Sequence, residues 1–458
     1  MSVNSIFYSD PGRLDRAIKS SWLPLSSTIW CSCLLPILLS ANGLWAIEPD
    51  DILFHRIGNV SLRPSFEIIE TYNDNIFYRT DTPIFFGGER IPTAKKEGDL
   101  ITSATGGATV VLGNPSKNWL SIDYSYTHRF FLNHSDQNAG RHHFGFGGTL
   151  NRGKVSLAPS FNFDNDFSPL SGATRATSPD DSTLVERSIL GGTIVAMVKF
   201  TPKTFTTTTG QYSLTDFGSN TPILDSDNIS FQQGLGFHIR PKVSLSAYGI
   251  IGRRTTSVNT RFLVNNPGFA ESLIPSRQPY VGGGFSAKGK FTNRITGEVS
   301  FGIQRLSYSE VSASFITPVV EFSLEYWMGR DIVSDISYIR STFVDLQSEN
   351  SSGVSDSVRI AVSKPFGRRK NWRVTASGSL SFQNWEIGTG PSSDRSEDFF
   401  TGTFSIQHKI QEWLSSSLSY SSQMFSSNRS LHRIQQPGRF GIVDYDVNTV
   451  RLSIKVGY

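Results

Sequence analysis

Cysteine is almost missing from this sequence. The 458 residues hold two, Cys31 and Cys33, both in an N-terminal apolar stretch. Beyond residue 46 no disulfide, thiolate metal site or cysteine nucleophile can form. Charge is scarce too, at 18% against the usual ~25%. The formal net charge of +4 is small and dispersed, so composition gives no footprint for nucleic acid. Hydrophobic residues reach only 38%, thin for a soluble core in a chain this long. No window of ~18 uninterrupted apolar residues follows residue 46, which excludes a transmembrane helix there. A membrane barrel stays open, because its spans are short and alternating. What is plentiful is Phe (33) and Gly (40), with Ser, Thr and Asn. That mixture suits strands and turns and argues against a helical bundle or a disordered chain.

Residues 1–46 have the order of a secretory signal peptide. Arg13, Arg16 and Lys19 come first, an apolar stretch runs from Trp22 to Leu39, and Ala46 offers a small residue before Ile47-Glu48-Pro49. Leu44 at the −3 position is not small, so the scissile bond is left open. Neither cysteine sits in a lipoprotein-type context. Residues 47–59 then form a periplasmic segment, and 60–458 the body.

In the body the dominant period is two, which on a strand makes one face apolar. Leu120, Ile122, Tyr124, Tyr126, Phe130 and Leu132 share one parity; Ser121, Asp123, Ser125, Thr127 and Arg129 hold the other. Eighteen such segments are predicted, centred near residues 67, 106, 126, 146, 160, 193, 210, 234, 249, 285, 301, 322, 338, 359, 379, 405, 419 and 451, with sixteen as the alternative count. Each spans about ten to fourteen residues, longer than soluble strands and long enough to cross a membrane at a tilt. Even-numbered segments lead into short turns, such as Pro241-Lys242 and Thr292-Asn293. Odd-numbered ones lead into long polar loops at 77–98, 165–183, 258–278, 386–397 and 427–442. The fold class predicted is a closed, all-β antiparallel transmembrane barrel with short periplasmic turns and long extracellular loops.

Tryptophan suggests the membrane boundaries. Trp119, Trp327, Trp372 and Trp413 lie near short turns and are expected in one interfacial girdle; Trp385, beside a long loop, is expected in the opposite one. The chain's last residue, Tyr458, is in phase with the apolar parity of the closing segment. An aromatic there resembles the assembly signal of bacterial outer-membrane barrels.

Leu62-Arg63-Pro64-Ser65-Phe66 followed by Tyr72-Asn73-Asp74-Asn75-Ile76-Phe77 resembles the opening of a family of outer-membrane β-barrel porins often associated with exopolysaccharide biosynthesis and export. There the Tyr-Asn-Asp-Asn-Ile stretch closes the first strand. The resemblance implies an outer-membrane, polysaccharide-linked pore and transfers no catalytic residue. Its implied partners are outer-membrane lipid and lipopolysaccharide, the outer-membrane assembly machinery and polysaccharide-export components, in a Gram-negative-type bacterium.

Local motifs for chemistry are weak. Gly148 to Val155 nearly spells a phosphate-binding loop, but lacks the final Ser or Thr and joins two strands, so a β-turn is expected. His142 and His143 point to opposite faces and cannot chelate together. No cofactor or metal is expected, and no Ser-His-Asp grouping stands out. The stronger pattern is charge on the inward parity. Glu298, Glu321, Glu325, Asp331 and Asp335 would make one lumen wall acidic. Arg359, Arg373, Lys409, Arg451, Lys455 and Arg63 would make the other basic. Such charges on the lipid face would cost ~2–4 kcal/mol each at mid-membrane. The reading is a non-enzymatic pore for polysaccharide or other polar solutes. The rivals are a lipase- or protease-type enzyme barrel and a plugged structural or adhesive barrel.

Overall fold

Strands form here because alternating sequences bury one face while their backbone groups pair in neighbouring strands. In a membrane that pairing must close on itself, since no water satisfies an open edge. The computed structural model describes residues 53–79, 84–86, 89–91, 95–114, 116–168, 185–218, 225–257, 276–308, 314–344, 352–387, 396–427 and 444–457. The chain divides into two units, Met1–Glu48 and Pro49–Tyr458. The first, with the expected signal peptide, lies outside the described residues, as does Tyr458.

Eighteen long strands make the barrel. They are β1 Val60–Asn73, β2 Asp99–Gly113, β3 Trp119–Phe131, β4 Ala139–Arg152, β5 Val155–Ser168, β6 Val185–Lys199, β7 Thr204–Phe217, β8 Asp225–Arg240 and β9 Val243–Ser257. The second half is β10 Arg277–Lys290, β11 Ile295–Ser307, β12 Ser314–Met328, β13 Ile332–Val344, β14 Ser352–Phe366, β15 Trp372–Ile387, β16 Ser396–Lys409, β17 Leu414–Ser427 and β18 Asp444–Gly457. Each pairs antiparallel with the next. β18 returns to β1, from Ser65 opposite Gly457 to Asn73 opposite Thr449, and closes the cylinder. A short strand, His55–Ile57, pairs with Val60–Leu62 and extends that seam below the end of β18. Gly457 has φ +141°, and a Cβ there would stand 2.8 Å from the Ser65 Cβ, so the seam needs glycine at that point.

All eighteen expected centres fall inside these strands. The strands run 13 to 16 residues, longer than expected, because they continue past the apolar band into the loop side. Thus 165–168, 277–278, 386–387 and 396–397 are strand rather than loop. The sorting of connections is complete. Every even strand is followed by two to five residues and every odd strand by six to twenty-five. The phosphate-loop look-alike is the tight β4–β5 turn, with Gly153 at φ +60°. Cysteines introduced at Gly88 and Asn266 should label in intact cells with an impermeant maleimide, and one at Asn293 should not; the reverse pattern contradicts this topology.

Residues opposite each other across a ladder share a face, so the faces can be followed around the barrel. Leu235, Ala247, Phe285, Phe301 and Val320 form one continuous row. Leu235 is 65% and Phe285 72% exposed. A cylinder whose most apolar face is its exposed outer face has hydrocarbon as its solvent.

Candidate functional site: the lumen and its two mouths

The opposite row is polar. Arg359, Ser379, Thr401, Gln423 and Val447 follow one another from β14 to β18 on the inward parity. On β15–β17 the wall is nearly all hydroxyl and amide. Thr375, Ser377 and Ser379 on β15 face Ser405, Thr403 and Thr401 on β16, and these face Ser419, Ser421 and Gln423 on β17. Thr403 and Ser421 share a 3.2 Å hydrogen bond. Such side chains gain little from lipid and much from water, so this face lines an aqueous bore. Eighteen strands enclose room for one.

The register places Arg63, Glu298, Glu321, Glu325, Asp335, Arg359, Arg373, Lys409, Arg451 and Lys455 on the inward parity. Asp331 is different: it lies in the β12–β13 turn and pairs with Lys370. The acidic wall is partly neutralised, because Lys288 on β10 stands 2.7 Å from Glu298. Glu325 lies directly opposite Asp335. On the basic wall, Arg359, Arg373, Lys409, Arg451 and Lys455 have no carboxylate at ion-pair distance among the described residues. Arg63 sits 5.4 Å from the Phe54 ring.

The tryptophan expectation needs correction. Trp119 and Trp327 share the parity of Ser121 and Glu325, so both face the bore at its periplasmic end. The Trp327 indole N–H donates to Glu325 at 2.5 Å. Nearness to a turn fixed their height but not their phase. Trp372 is on the outward parity, stacked 3.9 Å from His408 and beside Phe366. Trp413 lies in the β16–β17 turn. Trp385 lies in β15, its side chain outside the described residues.

One lumen cluster escaped the sequence reading. Arg129 and Asp166 pair across the bore face, Arg141 donates to Asp164 at 2.8 Å, and His143 stands 3.1 Å from Asp123 and 2.9 Å from Asp164. The inward phase of Asp123 and Arg129 was visible in β3; the partners on β5 needed the register. His142 faces outward and meets Tyr124 at 3.0 Å, so the two histidines part as expected.

The extracellular mouth is where the Tyr-Asn-Asp-Asn-Ile stretch acts. Past Asn73 the chain turns into the barrel instead of away from it. Ile76 and Phe77, each 3% exposed, pack on Phe131 and Ile101 of the inward face. Tyr78 packs on the cluster of Phe425, Tyr445 and Val447 of β17–β18, edge to face with Tyr445, and Phe399 of β16 packs on the same cluster. Asp74 accepts from the Asn448 backbone at 2.6 Å and from its side chain at 2.8 Å. Asn75, fully buried, donates to the carbonyls of Arg79 and Asp446 and accepts from the Arg79 amide. The stretch is thus a latch across the β1–β18 seam and a wedge in the mouth.

A second tie holds the first loop to the short one after β3. The His134 ring meets Asp99 at 2.9 Å and Glu97 at 2.8 Å. Burial alone would lower the His134 pKa, but hydrogen bonds to Asp99 and Glu97 outweigh it and raise it. Hydrogen bonds from His134 and then Arg79 hold Glu97 below the usual carboxylate range. A raised histidine pKa stabilises below its unfolded value near 6.5 and loses that stabilisation as pH climbs through the folded value. This tie should therefore weaken on the alkaline side, read as faster amide exchange in residues 95–98 and 132–138.

Across the mouth, Arg254 on β9 donates to the carbonyl and hydroxyl of Thr342 on β13, both at 3.0 Å. Four strand spacings of ~4.8 Å separate those strands along the wall, beyond an arginine's reach. Thr342, near the end of β13, is therefore drawn in toward Arg254.

The periplasmic mouth is basic. The eight turns, 29 residues in all, carry nine Lys and Arg against Asp331 and Glu412. The nine long loops hold ten basic and twelve acidic residues in 111.

No protein-family profile matches the chain, and no curated protein matches it. Among solved structures it is similar to the outer membrane protein OpdK of Pseudomonas aeruginosa, at 11% identity over 87% of this chain and 99% of that one, TM-score 0.41. It is similar to OpdQ of the same organism, at 11% identity over 88% and 98%, TM-score 0.42. OccAB3 of Acinetobacter baumannii is similar at 11% identity over 87% and 99%, TM-score 0.41.

Proposed function

We propose that the chain is an outer-membrane channel for polar solutes, with a lumen whose free cations favour anions. The observation that carries this is the β14–β18 wall: hydroxyls and amides flanked by Arg359, Arg373 and Arg451, which have no carboxylate at ion-pair distance among the described residues, and by Lys455, across the ladder from Glu67. A cation held at low-dielectric walls raises the local anion concentration. Apolar-out, polar-in strands with sorted turns and loops support the outer membrane as its location. Contact with outer-membrane lipid and lipopolysaccharide follows from that location, and assembly there would use the membrane's own machinery. Export of polysaccharide is the finer reading, supported by the likeness of Tyr72–Phe77 to the export-linked porins.

The test is single-channel recording in planar bilayers. Discrete conductance steps, with a reversal potential in a low-salt KCl gradient on the chloride side, support the reading. Correctly inserted protein that gives no steps contradicts it.

A further inference from the structure

We propose that the periplasmic face is a capture surface for a polyanion, a chain bearing repeated carboxylates or phosphates that enters the lumen from that side. This deepens the channel reading and rests on it, by naming the charge of the cargo and its side of entry.

Charge is sorted between the two ends of the barrel. Nine basic residues in 29 turn residues, against two acids, stand opposite loops that lean slightly acidic. Five even-numbered strands also end on a cation at this rim, namely Arg152, Lys199, Arg240, Lys290 and Lys409, and no strand begins or ends there on an acid. The cations are exposed, and Lys370 alone of the nine has a carboxylate partner among the described residues. Uncompensated charge at a rim costs stability through self-repulsion, and a ring of it is kept against that cost.

The spacing of the turns favours a polymer. Successive turns are two strands apart, ~10 Å. A small anion cannot touch two of them. A polymer can, and it gains by displacing counterions at each.

Cations continue from the rim into the lumen. Lys199, Lys290 and Lys409 lie on the inward parity. Arg373 and Lys455 follow on that face, then Arg451 and Arg359. A folded partner would stop at the rim; a flexible chain can follow these charges inward. The extracellular loops offer no matching excess, so capture works from the periplasmic side only.

The experiment uses the full chain in planar bilayers, in one orientation, with polygalacturonate added to either compartment. It should block the current at ~10-fold lower concentration from the periplasmic side. Neutral dextran of equal length should show no such preference. Raising KCl to 1 M, where the Debye length is ~3 Å, should abolish the asymmetry. The combined Lys242→Gln, Arg294→Gln, Arg368→Gln and Arg369→Gln variant should reduce it at least ~3-fold. If that variant does not assemble, Lys154→Gln with Lys203→Gln, on other turns of the ring, serves instead. Equal block from both sides in a conducting channel overturns the proposal, as does an asymmetry that survives the variant. Polymer that binds without blocking current also overturns it, because the surface then docks something that stays outside. A barrel that never conducts contradicts the channel reading itself. Co-sedimentation of proteoliposomes with polygalacturonate, wild type against variant, still decides the surface.

Discussion

Asn75→Ala should loosen the extracellular seam by ~3 kcal/mol. The amide nitrogen donates to the Arg79 carbonyl at 2.7 Å and the Asp446 carbonyl at 3.0 Å, and its oxygen accepts from the Arg79 amide at 2.8 Å. Alanine leaves two buried backbone groups of Arg79 and the part-buried Asp446 carbonyl without these partners, each costing ~1–3 kcal/mol less whatever water recovers. Asn75→Asp keeps the shape but supplies no donor, and should be at least as damaging. The loss should show as a lower urea midpoint in lipid and as faster exchange at the Asp74 and Asn448 amides, which bond across the seam. It should also add noise to the open channel, because Asn75 anchors the Ile76–Tyr78 wedge. An alanine variant with wild-type exchange at both amides would mean the latch is not what holds this mouth.

The double variant Arg359→Gln with Arg451→Gln should shift the channel toward cation selectivity. Both arginines lie on the inward parity, away from the strand ends, and neither has an ion partner among the described residues. Asp335 on β13, the strand beside Arg359, and Glu321 on β12 would then be less balanced. Glutamine keeps the positions polar, so folding should be spared. The reversal potential in a KCl gradient should move by more at 0.1 M than at 1 M, as the Debye length falls from ~10 to ~3 Å. An unchanged reversal potential at low salt, in a channel that conducts, would place these arginines off the solute path.

Most of the barrel could be read from the sequence because its cause is local. A strand in a wall between lipid and water must alternate, and a two-residue periplasmic turn must carry glycine or proline near its centre. Those rules found eighteen strands, and the parity they give to ten of the charged residues is the one in the register. Phase at strand ends was harder. Trp119 and Trp327 sit one residue from the lipid-facing parity, and proximity to a turn says nothing about which side the ring takes. Asp331 was assigned to a wall because it adjoins a strand, yet the turn begins two residues before it, at Gly329. The wedge was not legible at all. Ile76, Phe77 and Tyr78 read as a strand end, and only pairing of β1 with β18 brings Phe425 and Tyr445 within their reach. The basic rim was legible as composition, turn by turn, but its meaning depends on all eight turns lying at one end.

Alternate residues of each strand face water inside a bore and lipid outside. Cysteine scanning along β17 tests it most directly, since residues 60–458 contain no cysteine. Single cysteines at Ser417, Ser419 and Ser421 should react with a small charged thiosulfonate in reconstituted vesicles and reduce the conductance. Cysteines at Leu418 and Tyr420 should be inert to that reagent and should react with a lipid-soluble maleimide. Reaction that follows this period of two is the predicted result. Uniform reactivity, or the opposite alternation, would contradict the lumen assignment and the channel built on it.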